Sequence, residues 1–283
     1  MTDYLVYDVF TDHVFGGNQL AVIPDARSLP EADLQQIARE FNYSETTFVY
    51  PPADPAHQAK VRIFTPTMEV PFAGHPTIGT AIALRDQGGP ADMVLELGIG
   101  PVPVRIDADG ATFTVATPLQ RIESPDPDLV AACLGLPVAA LSHDTHAPVQ
   151  ASLGLPFVIA ALASTDDLAA CQPVIDQFRI GAERHPAGLD FAIYAYCRNG
   201  ADISARMFAP LDNIPEDPAT GSAAATLAAL LTEELGTPQS LTITQGVTMG
   251  RPSRIGAVTQ LGSPVTVAIS GNAKQVMAGR LVY

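Results

Sequence analysis

Residues 62–66 read Arg-Ile-Phe-Thr-Pro, and residues 206–210 read Arg-Met-Phe-Ala-Pro, 144 positions later. Further on, Glu69-Val-Pro71 with Gly74 is matched by Glu216-Asp-Pro218 with Gly221, now offset by 147 positions, so the second copy carries three extra loop residues. A helix-like run follows each glycine, over residues 75–87 and 222–235. Repetition of the same order of strand, Pro-bounded loop, glycine and helix indicates two homologous halves of about 140 residues.

Composition narrows the class of protein. The 283 residues are 47% apolar and 16% charged, which predicts a sizeable core and excludes disorder. A net charge of −15 argues against nucleic acid or a membrane surface as partners, because both are anionic. A small anionic substrate stays open, since helix N-termini and backbone amides bind anions whatever the net charge.

Local patterns predict mixed α/β halves. Short apolar or alternating runs on both sides of a polar, Pro-bearing stretch at 117–127 predict strands, and that stretch serves as the expected boundary. The expected halves are therefore 1–118 and 119–271. A surface helix is predicted from the helical spacing of Leu34, Ile37, Ala38 and Phe41, with Ser28 and Glu31 as its capping box.

Cysteine usage and the absence of targeting patterns point to the cytoplasm. Cys133, Cys171 and Cys197 are sparse and contain no CxxC, which argues against a disulfide scaffold or a thiolate zinc site. The N-terminus shows no export signal, and the longest apolar stretches are far short of a membrane span.

Both repeated glycine loops are predicted to end at a helix N-terminus. Gly74 and Gly221 would offer unpaired backbone N–H groups there, and two such ends facing each other across a domain cleft would bind a carboxylate. For a single loop an ordinary helix cap is the simpler interpretation; duplication favours function. His75, directly after Gly74, is expected to stay neutral at the positive helix end. His143 and His146 are expected in a solvated loop, because no third metal ligand is evident.

Three motifs together resemble the PhzF family, the phenazine-biosynthesis isomerases: residues 44–48 (Ser-Glu-Thr-Thr-Phe), 69–77 (Glu-Val-Pro-Phe-Ala-Gly-His-Pro-Thr) and 216–222 (Glu-Asp-Pro-Ala-Thr-Gly-Ser). Supporting matches lie at 15–18, 154–157, 245–246 and 250–253. The resemblance implies an α+β, diaminopimelate-epimerase-like fold, in which each half is a β-barrel-like sheet wrapped around a central helix. It also implies an active site in the cleft between the halves, a final strand within 272–283 that returns to the first half, and a homodimer.

The resemblance further implies the chemistry: isomerisation of trans-2,3-dihydro-3-hydroxyanthranilate or a similar small carboxylate, without cofactor or metal. The residue that matches the family's proton shuttle is Glu45, which spacing alone would not single out. Three further positions match groups that orient substrate and support proton movement: His75, Asp217 and Ser222. Substrate contacts are expected from Asn18, Gly74, Thr220 and Gly221.

Two other functions stay open at this stage. A lyase would begin with the same proton abstraction but expel a β-hydroxyl, and a non-catalytic small-molecule-binding protein could retain the scaffold. Related racemases use two facing cysteines, one in each repeated loop. Here all three cysteines lie outside both loops, and Ala73 occupies the first of those places, so a two-thiol racemase is disfavoured.

Overall fold

The computed structural model describes residues 1–187 and 190–282. The chain divides into two compact units: unit 1 comprises Met1–Thr114 with Ser270–Tyr283, and unit 2 comprises Val115–Ile269. Each helix or strand is assigned to the unit that holds most of its residues.

Unit 1 contains nine strands and two helices among the described residues. In chain order they are β1 (Thr2–Val9), β2 (Asn18–Ile23), α1 (Glu31–Phe41), β3 (Glu45–Tyr50), β4 (Ala59–Phe64), β5 (Glu69–Val70), α2 (Gly74–Asp86), β6 (Asp92–Leu97), β7 (Gly100–Asp107), β8 (Gly110–Val115) and, after unit 2, β18 (Ala273–Leu281).

The sheet of unit 1 surrounds helix α2. Its pairing order is β18-β1-β2-β3-β4-β6-β7-β8, and β5 adds to β4. Only the β2–β3 and β4–β6 neighbours are parallel. Every residue of α2 from Gly74 to Leu84 is buried, and the helix packs on β1, β2, β3, β7 and β18. A helix without a polar face is stable only inside a core, and the sequence of α2 has no polar face.

Unit 2 contains nine strands and four helices among its described residues. They are β9 (Gln120–Glu123), α3 (Pro127–Cys133), β10 (Val149–Ser152), β11 (Pro156–Ala161), α4 (Thr165–Ala170), α5 (Ile175–Arg184), β12 (Ile193–Asn199), β13 (Asp202–Ala209), β14 (Ile214–Asp217), α6 (Gly221–Leu235), β15 (Ser240–Gln245), β16 (Ser253–Gln260) and β17 (Thr266–Gly271).

Unit 2 repeats the connectivity of unit 1. Its strands pair in the order β9-β10-β11-β12-β13-β15-β16, with β14 added to β13. As in unit 1, two pairs of neighbours are parallel, here β11–β12 and β13–β15, and the second pair flanks the central helix in the chain. Helix α6 is buried from Ala223 to Thr232 and packs on β10, β11 and β16. The internal sequence repeat is therefore a repeat of topology.

The residues that reveal the repeat form the same ion pair in each unit. Arg62 binds Glu69 through two hydrogen bonds of 2.6 and 2.7 Å and lies over the ring of Phe64. Arg206 binds Glu216 through two hydrogen bonds of 2.8 Å and lies over the ring of Phe208. Such bidentate pairs join β4 to β5 and β13 to β14, so the strands that lead into each glycine loop are held in one register.

One expectation from the sequence is wrong in detail. Helix α1 begins at Glu31 after Pro30 without a side-chain cap, and Ser28 contacts Thr2 at 3.1 Å instead, so the predicted capping box does not form. The stretch at 117–127, expected as the boundary between the halves, contains β9, which pairs with β10. The predicted apolar face of α1 is confirmed, because its spaced side chains join a buried cluster with Phe48.

None of the helices within residues 1–187 and 190–282 is long and apolar enough to cross a membrane.

Candidate active site

The polar cluster of unit 1 lies where two parallel strands begin. Strand β2 begins at Asn18 and β3 at Glu45, and the register places Leu20 opposite Glu45. Ser44 donates a 3.3 Å hydrogen bond to the Oδ1 of Asn18, which ties the two strand starts together. Helix α2 then brings His75, its second residue, against Glu45. Because both strands and the helix are buried, these side chains are held by the core of the unit.

Glu45 and His75 form a close acid–base pair. Oε2 of Glu45 lies 3.0 Å from Nδ1 of His75, and the side chains are 17% and 4% exposed. The other ring nitrogen, Nε2, lies 3.3 Å from the carbonyl oxygen of Gln19. A carbonyl only accepts hydrogen bonds, so Nε2 carries a hydrogen and Nδ1 is the nitrogen that can exchange a proton with Glu45. Among the residues that the structure describes, Glu45 Oε2 has no partner with hydrogen-bond geometry.

The turn before Asn18 requires glycine. Gly17 has a φ of +62°, and a Cβ there would overlap the carbonyl oxygen of Val9 and lie 2.8 Å from the Thr11 methyl group. Only glycine adopts this conformation at this approach distance without displacing the β1 backbone. The buried carboxylate of Asp8 also accepts a 2.6 Å hydrogen bond from the N–H of Phe15 in this turn. These constraints fix where β2 begins, and with it the side chain of Asn18.

The polar cluster of unit 2 lies at the corresponding loop. Asp217 ends β14, and its Oδ2 accepts a hydrogen bond from the hydroxyl of Thr220. Gln245, at the end of β15, donates from Nε2 to the Asp217 carbonyl at 2.7 Å and to Thr220 Oγ1 at 3.0 Å. All three residues are buried, and Gln245 is 0% exposed. The loop that precedes α6 is therefore fixed by side-chain hydrogen bonds on both sides of Pro218.

Helix α6 begins at Gly221, and Ser222 is its second residue, as His75 is in α2. Gly221 is buried and Ser222 half-buried. Neither central helix has a side-chain cap at its N-terminus. The first amides of such a helix point along the axis and carry partial positive charge, so each start is suited to an anionic group.

The fully buried hydroxyl of Tyr194 has no hydrogen-bond partner among the described residues. Burial raises the pKa of Tyr194 far above its ordinary value, and the nearby charge of Asp217 raises this pKa further. Register explains their proximity: Tyr194 lies opposite Met207, and Met207 lies opposite Asp217. The phenol is therefore a neutral group beside the Asp217 carboxylate.

The two units carry different chemistry at matching positions. Val70 of β5 and Asp217 of β14 are equivalent positions in the two units. Val70 pairs with Ile63 of β4, Asp217 pairs with Met207 of β13, and Ile63 and Met207 occupy the same place in the repeat. By the registers of the parallel strand pairs, the position equivalent to Glu45 in unit 2 is Ala192, which directly precedes β12. One unit thus contributes a carboxylate–imidazole pair, and the other a carboxylate–hydroxyl–amide network.

The structure brings together Asn18, Glu45 and His75 in unit 1, with Gly74 at the helix start. In unit 2 it brings together Asp217 and Thr220 before Gly221 and Ser222. Their location in one cleft stays a prediction. The sequence predicts no role for Ser44, Tyr194 or Gln245, although Ser44 and Gln245 lie in the motifs at 44–48 and 245–246. Only the three-dimensional contacts distinguish them from ordinary polar residues.

His146 differs from the expectation of a solvated loop, whereas His143 is exposed as predicted. The ring of His146 is 8% exposed and stacks on Tyr196, whose hydroxyl lies 2.8 Å from Nε2. Its Nδ1 lies 2.8 Å from the Ala147 carbonyl. Burial lowers the pKa of His146. This histidine is a core residue, and its partner Tyr196 lies 50 positions away, beyond the reach of local patterns.

The buried imidazole predicts a pH dependence of stability. Because the pKa of His146 is lower in the folded state, the unfolded chain binds the proton first. The free energy of unfolding should fall as pH drops below about 6.5, by at most about 1.4 kcal/mol per pH unit from this group. Urea unfolding between pH 7.5 and 5 should show a shallower dependence for His146→Gln than for wild type. Identical slopes would contradict the assignment.

Two of the cysteines are core thiols. Burial raises the pKa of Cys133 to about 12 and that of Cys171 to about 11, so both stay protonated at neutral pH.

Within residues 1–187 and 190–282, the structure contains no group of three or more His, Cys, Asp or Glu side chains that could hold a metal ion.

Comparison with known proteins shows which family the chain belongs to. The family model described as phenazine biosynthesis-like protein matches residues 7–279. The chain belongs to the phenazine biosynthesis-like family. An uncharacterized isomerase of Mesorhizobium japonicum is 40% identical over 99% of this chain and 98% of its own length. The trans-2,3-dihydro-3-hydroxyanthranilate isomerase of Pseudomonas fluorescens is 36% identical, with both chains covered completely. The expected family is confirmed, and the chain is an isomerase of the phenazine biosynthesis-like type.

Solved structures confirm the fold class. A phenazine biosynthesis-like protein of Bacillus anthracis superposes with a TM-score of 0.88, at 23% identity over 100% of this chain and 99% of that one. A hydroxyproline epimerase of Agrobacterium vitis superposes with a TM-score of 0.61, at 12% identity over 99% and 90% of the two chains. At these identities the likeness concerns the fold alone. The α+β, epimerase-like architecture of two similar halves is the one predicted from the repeat and the motifs.

Proposed function

We propose that this isomerase moves a proton on a small cyclic or amino/hydroxy carboxylate of the trans-2,3-dihydro-3-hydroxyanthranilate type, with Glu45 as its single acid–base group. The observation that carries the proposal is the buried Glu45–His75 pair, whose closest atoms are 3.0 Å apart. The complete, 36% identical match to the Pseudomonas fluorescens isomerase supports the substrate class.

The proton transfer follows from the pair. The Glu45 carboxylate takes the proton from C3 of the substrate, and the electron pair left on C3 is delocalised over the conjugated system. The protonated Glu45 then returns that proton to another carbon of the system, which leaves an enol at C3. The enol loses its hydroxyl proton to solvent and gains a proton from solvent at the adjacent carbon, so the 3-hydroxyl becomes the ketone oxygen. Atoms balance, so product and substrate have the same mass. His75, with Nδ1 toward Glu45, stabilises the charge change on the carboxylate.

The network of unit 2 serves the same reaction by holding substrate. Ser222 and the amides around Gly74 and Gly221 bind the carboxylate or the developing negative charge, because helix starts favour anions. Asp217, oriented by Thr220, accepts a hydrogen bond from an amino or hydroxyl group of the substrate. Asn18 contacts substrate beside Glu45. This chemistry assigns no step to a cofactor or metal.

The proposed function is tested by incubating the protein with trans-2,3-dihydro-3-hydroxyanthranilate and following ultraviolet absorbance and product mass. Isomerisation changes the absorbance of the conjugated system and leaves the mass unchanged. A product lighter by one water would instead establish a lyase. Substrate that binds, measured by calorimetry, but is recovered unchanged would favour a binding protein and contradict the proposal.

We also propose a domain organisation, an oligomeric state and a cellular location for the protein. The halves 1–118 and 119–271 act as its two structural domains, with the segment 272–283 completing the first; the antiparallel β1–β18 pairing supports this return. The protein works as a homodimer in the cytoplasm. Light scattering during gel filtration should give a mass near twice the 29.7 kDa of one chain, and a monomer at micromolar concentration would contradict the dimer.

A further inference from the structure

Gln245 is a buried residue whose three side-chain hydrogen bonds all go to the loop before α6. Its Oε1 accepts a 3.2 Å hydrogen bond from the Thr220 amide, while Nε2 donates to the Asp217 carbonyl and to Thr220 Oγ1. These groups lie on both sides of Pro218, so one side chain spans the loop. Gln245 is 0% exposed, and bulk water does not compete for these positions.

The contacts define the direction of the hydrogen bonds. An amide N–H only donates and a backbone carbonyl only accepts, so Nε2 must face the Asp217 carbonyl. The same nitrogen then donates to Thr220 Oγ1, which accepts. A hydroxyl has one hydrogen, and that of Thr220 is left to donate to Asp217 Oδ2. The order is therefore Gln245 to Thr220 to Asp217.

We propose that Gln245 is a positioning residue that turns the hydroxyl hydrogen of Thr220 onto Asp217 and so presents the Asp217 carboxylate to substrate in a single orientation. The inference rests on the proposed function, in which Asp217 takes part. With Gln245 in place, Asp217 Oδ2 is occupied by Thr220. The carboxylate cannot rotate without breaking that bond, so its orientation is set before substrate arrives.

The backbone after Gln245 is built for this approach. Gly246 has a φ of +73°, and a Cβ there would lie 2.7 Å from the Pro218 carbonyl oxygen and closer still to that of Arg251. The Gly246 carbonyl accepts hydrogen bonds from the amides of Met249 and Arg251. The end of β15 therefore lies close against the loop that contains Pro218.

The substitution Gln245→Glu reverses the direction of the hydrogen bond between residue 245 and the Thr220 hydroxyl in a pH-dependent manner. The new carboxylate, when ionised, keeps the acceptor for the Thr220 amide but loses both N–H donors. The Thr220 hydroxyl then turns to this carboxylate and leaves Asp217. Burial and the nearby Asp217 carboxylate raise the pKa of a glutamate at this position, and Tyr194, which faces Asp217, stays neutral. Once protonated, the new carboxylic acid donates one hydrogen bond to the Thr220 hydroxyl, and that hydroxyl again donates to Asp217.

The first test compares kcat of Gln245→Glu and wild type from pH 8 to pH 5.5. We expect about a tenfold loss at pH 8, the size of one net hydrogen bond, and a severalfold recovery of the variant-to-wild-type ratio as pH falls. Gln245→Leu cannot titrate and should keep a constant loss across this range. A merely structural role would give both variants a loss independent of pH, and that result would overturn the inference.

A second test remains valid if Gln245→Glu folds poorly. Thr220→Val removes the relayed hydroxyl, so the double variant with Gln245→Leu should lose no more kcat than the worse single variant. Additive losses would overturn the inference. The variant Asp217→Asn separates this inference from the proposed function. If Asp217→Asn keeps the wild-type kcat, Asp217 has no role in the reaction, and the proposed function is wrong about this residue. A slow Asp217→Asn beside fully active Gln245 variants refutes the positioning role alone.

Discussion

Replacing Glu45 by Gln should lower kcat by about a thousandfold or more, within the range of general acid–base catalysis, while the fold survives. Gln has the same shape and still fits beside His75, but it accepts no proton from carbon. The substitution replaces the carboxylate that lies 3.0 Å from His75 Nδ1 by a neutral amide of the same size, so the packing around the pair is kept. Steady-state kinetics by ultraviolet absorbance measures the loss, and circular dichroism checks the fold.

Glu40→Gln is the matched control for this prediction. Glu40 lies near the end of α1, is exposed, and is separated from Glu45 by a single left-handed turn at Asn42. It loses the same charge without touching the acid–base pair, so its kcat should equal that of wild type. Equal activity in Glu45→Gln and Glu40→Gln would refute the role of Glu45.

The second large effect concerns stability. Arg206→Met should destabilise the protein by about 3–5 kcal/mol, the usual result of breaking a buried ion pair by removing one partner. The side chains of Arg206 and Glu216 are 11% and 16% exposed, so Glu216 would be left as a poorly solvated charge. Arg206 also donates to the carbonyls of Leu168, Ala169 and Cys171, where α4 ends. Urea unfolding of both proteins measures the difference.

The internal repeat supplies the control. Arg62→Met removes the corresponding bidentate pair of unit 1, where the side chains of Arg62 and Glu69 are 21% and 43% exposed. Arg62 also pairs with Glu31 at 2.6 Å, and Glu31 is 74% exposed. Solvent stabilises both remaining carboxylates, so the expected cost is only about 1 kcal/mol. Equal destabilisation by the two substitutions would show that burial does not determine the value of this pair.

Features that repeat or follow local periodicity could be predicted from the sequence. The central helices α2 and α6 begin one residue before the predicted runs at His75 and Ser222, because glycine and the following apolar stretch mark a helix start. The Arg62 and Arg206 motifs recur because each joins two strands through the same ion pair. Short strands such as β5 and β14 were not predicted, since two to four residues carry too little periodicity.

The predicted site was incomplete where long-range contacts determine a role. Gln245 acts on residues 25 and 28 positions away, and no spacing rule links them. His146 lacked a visible partner, because the stacking Tyr196 lies on a distant strand. Glu45 was found through its motif rather than its spacing, and its contact with His75 needs β3 and α2 to meet. Chemistry of this kind depends on topology, which a local pattern does not contain.

The most direct test of Glu45 as the proton shuttle is exchange at C3 of trans-2,3-dihydro-3-hydroxyanthranilate in deuterated water, followed by mass spectrometry for wild type and Glu45→Gln. Wild type should form the isomer, with solvent deuterium at the carbon protonated when the enol becomes the ketone and at most one deuterium at the carbon protonated by Glu45. Glu45→Gln should give neither product nor deuterium at C3 of the recovered substrate. Conversion or C3 exchange by Glu45→Gln at the wild-type rate would contradict the account.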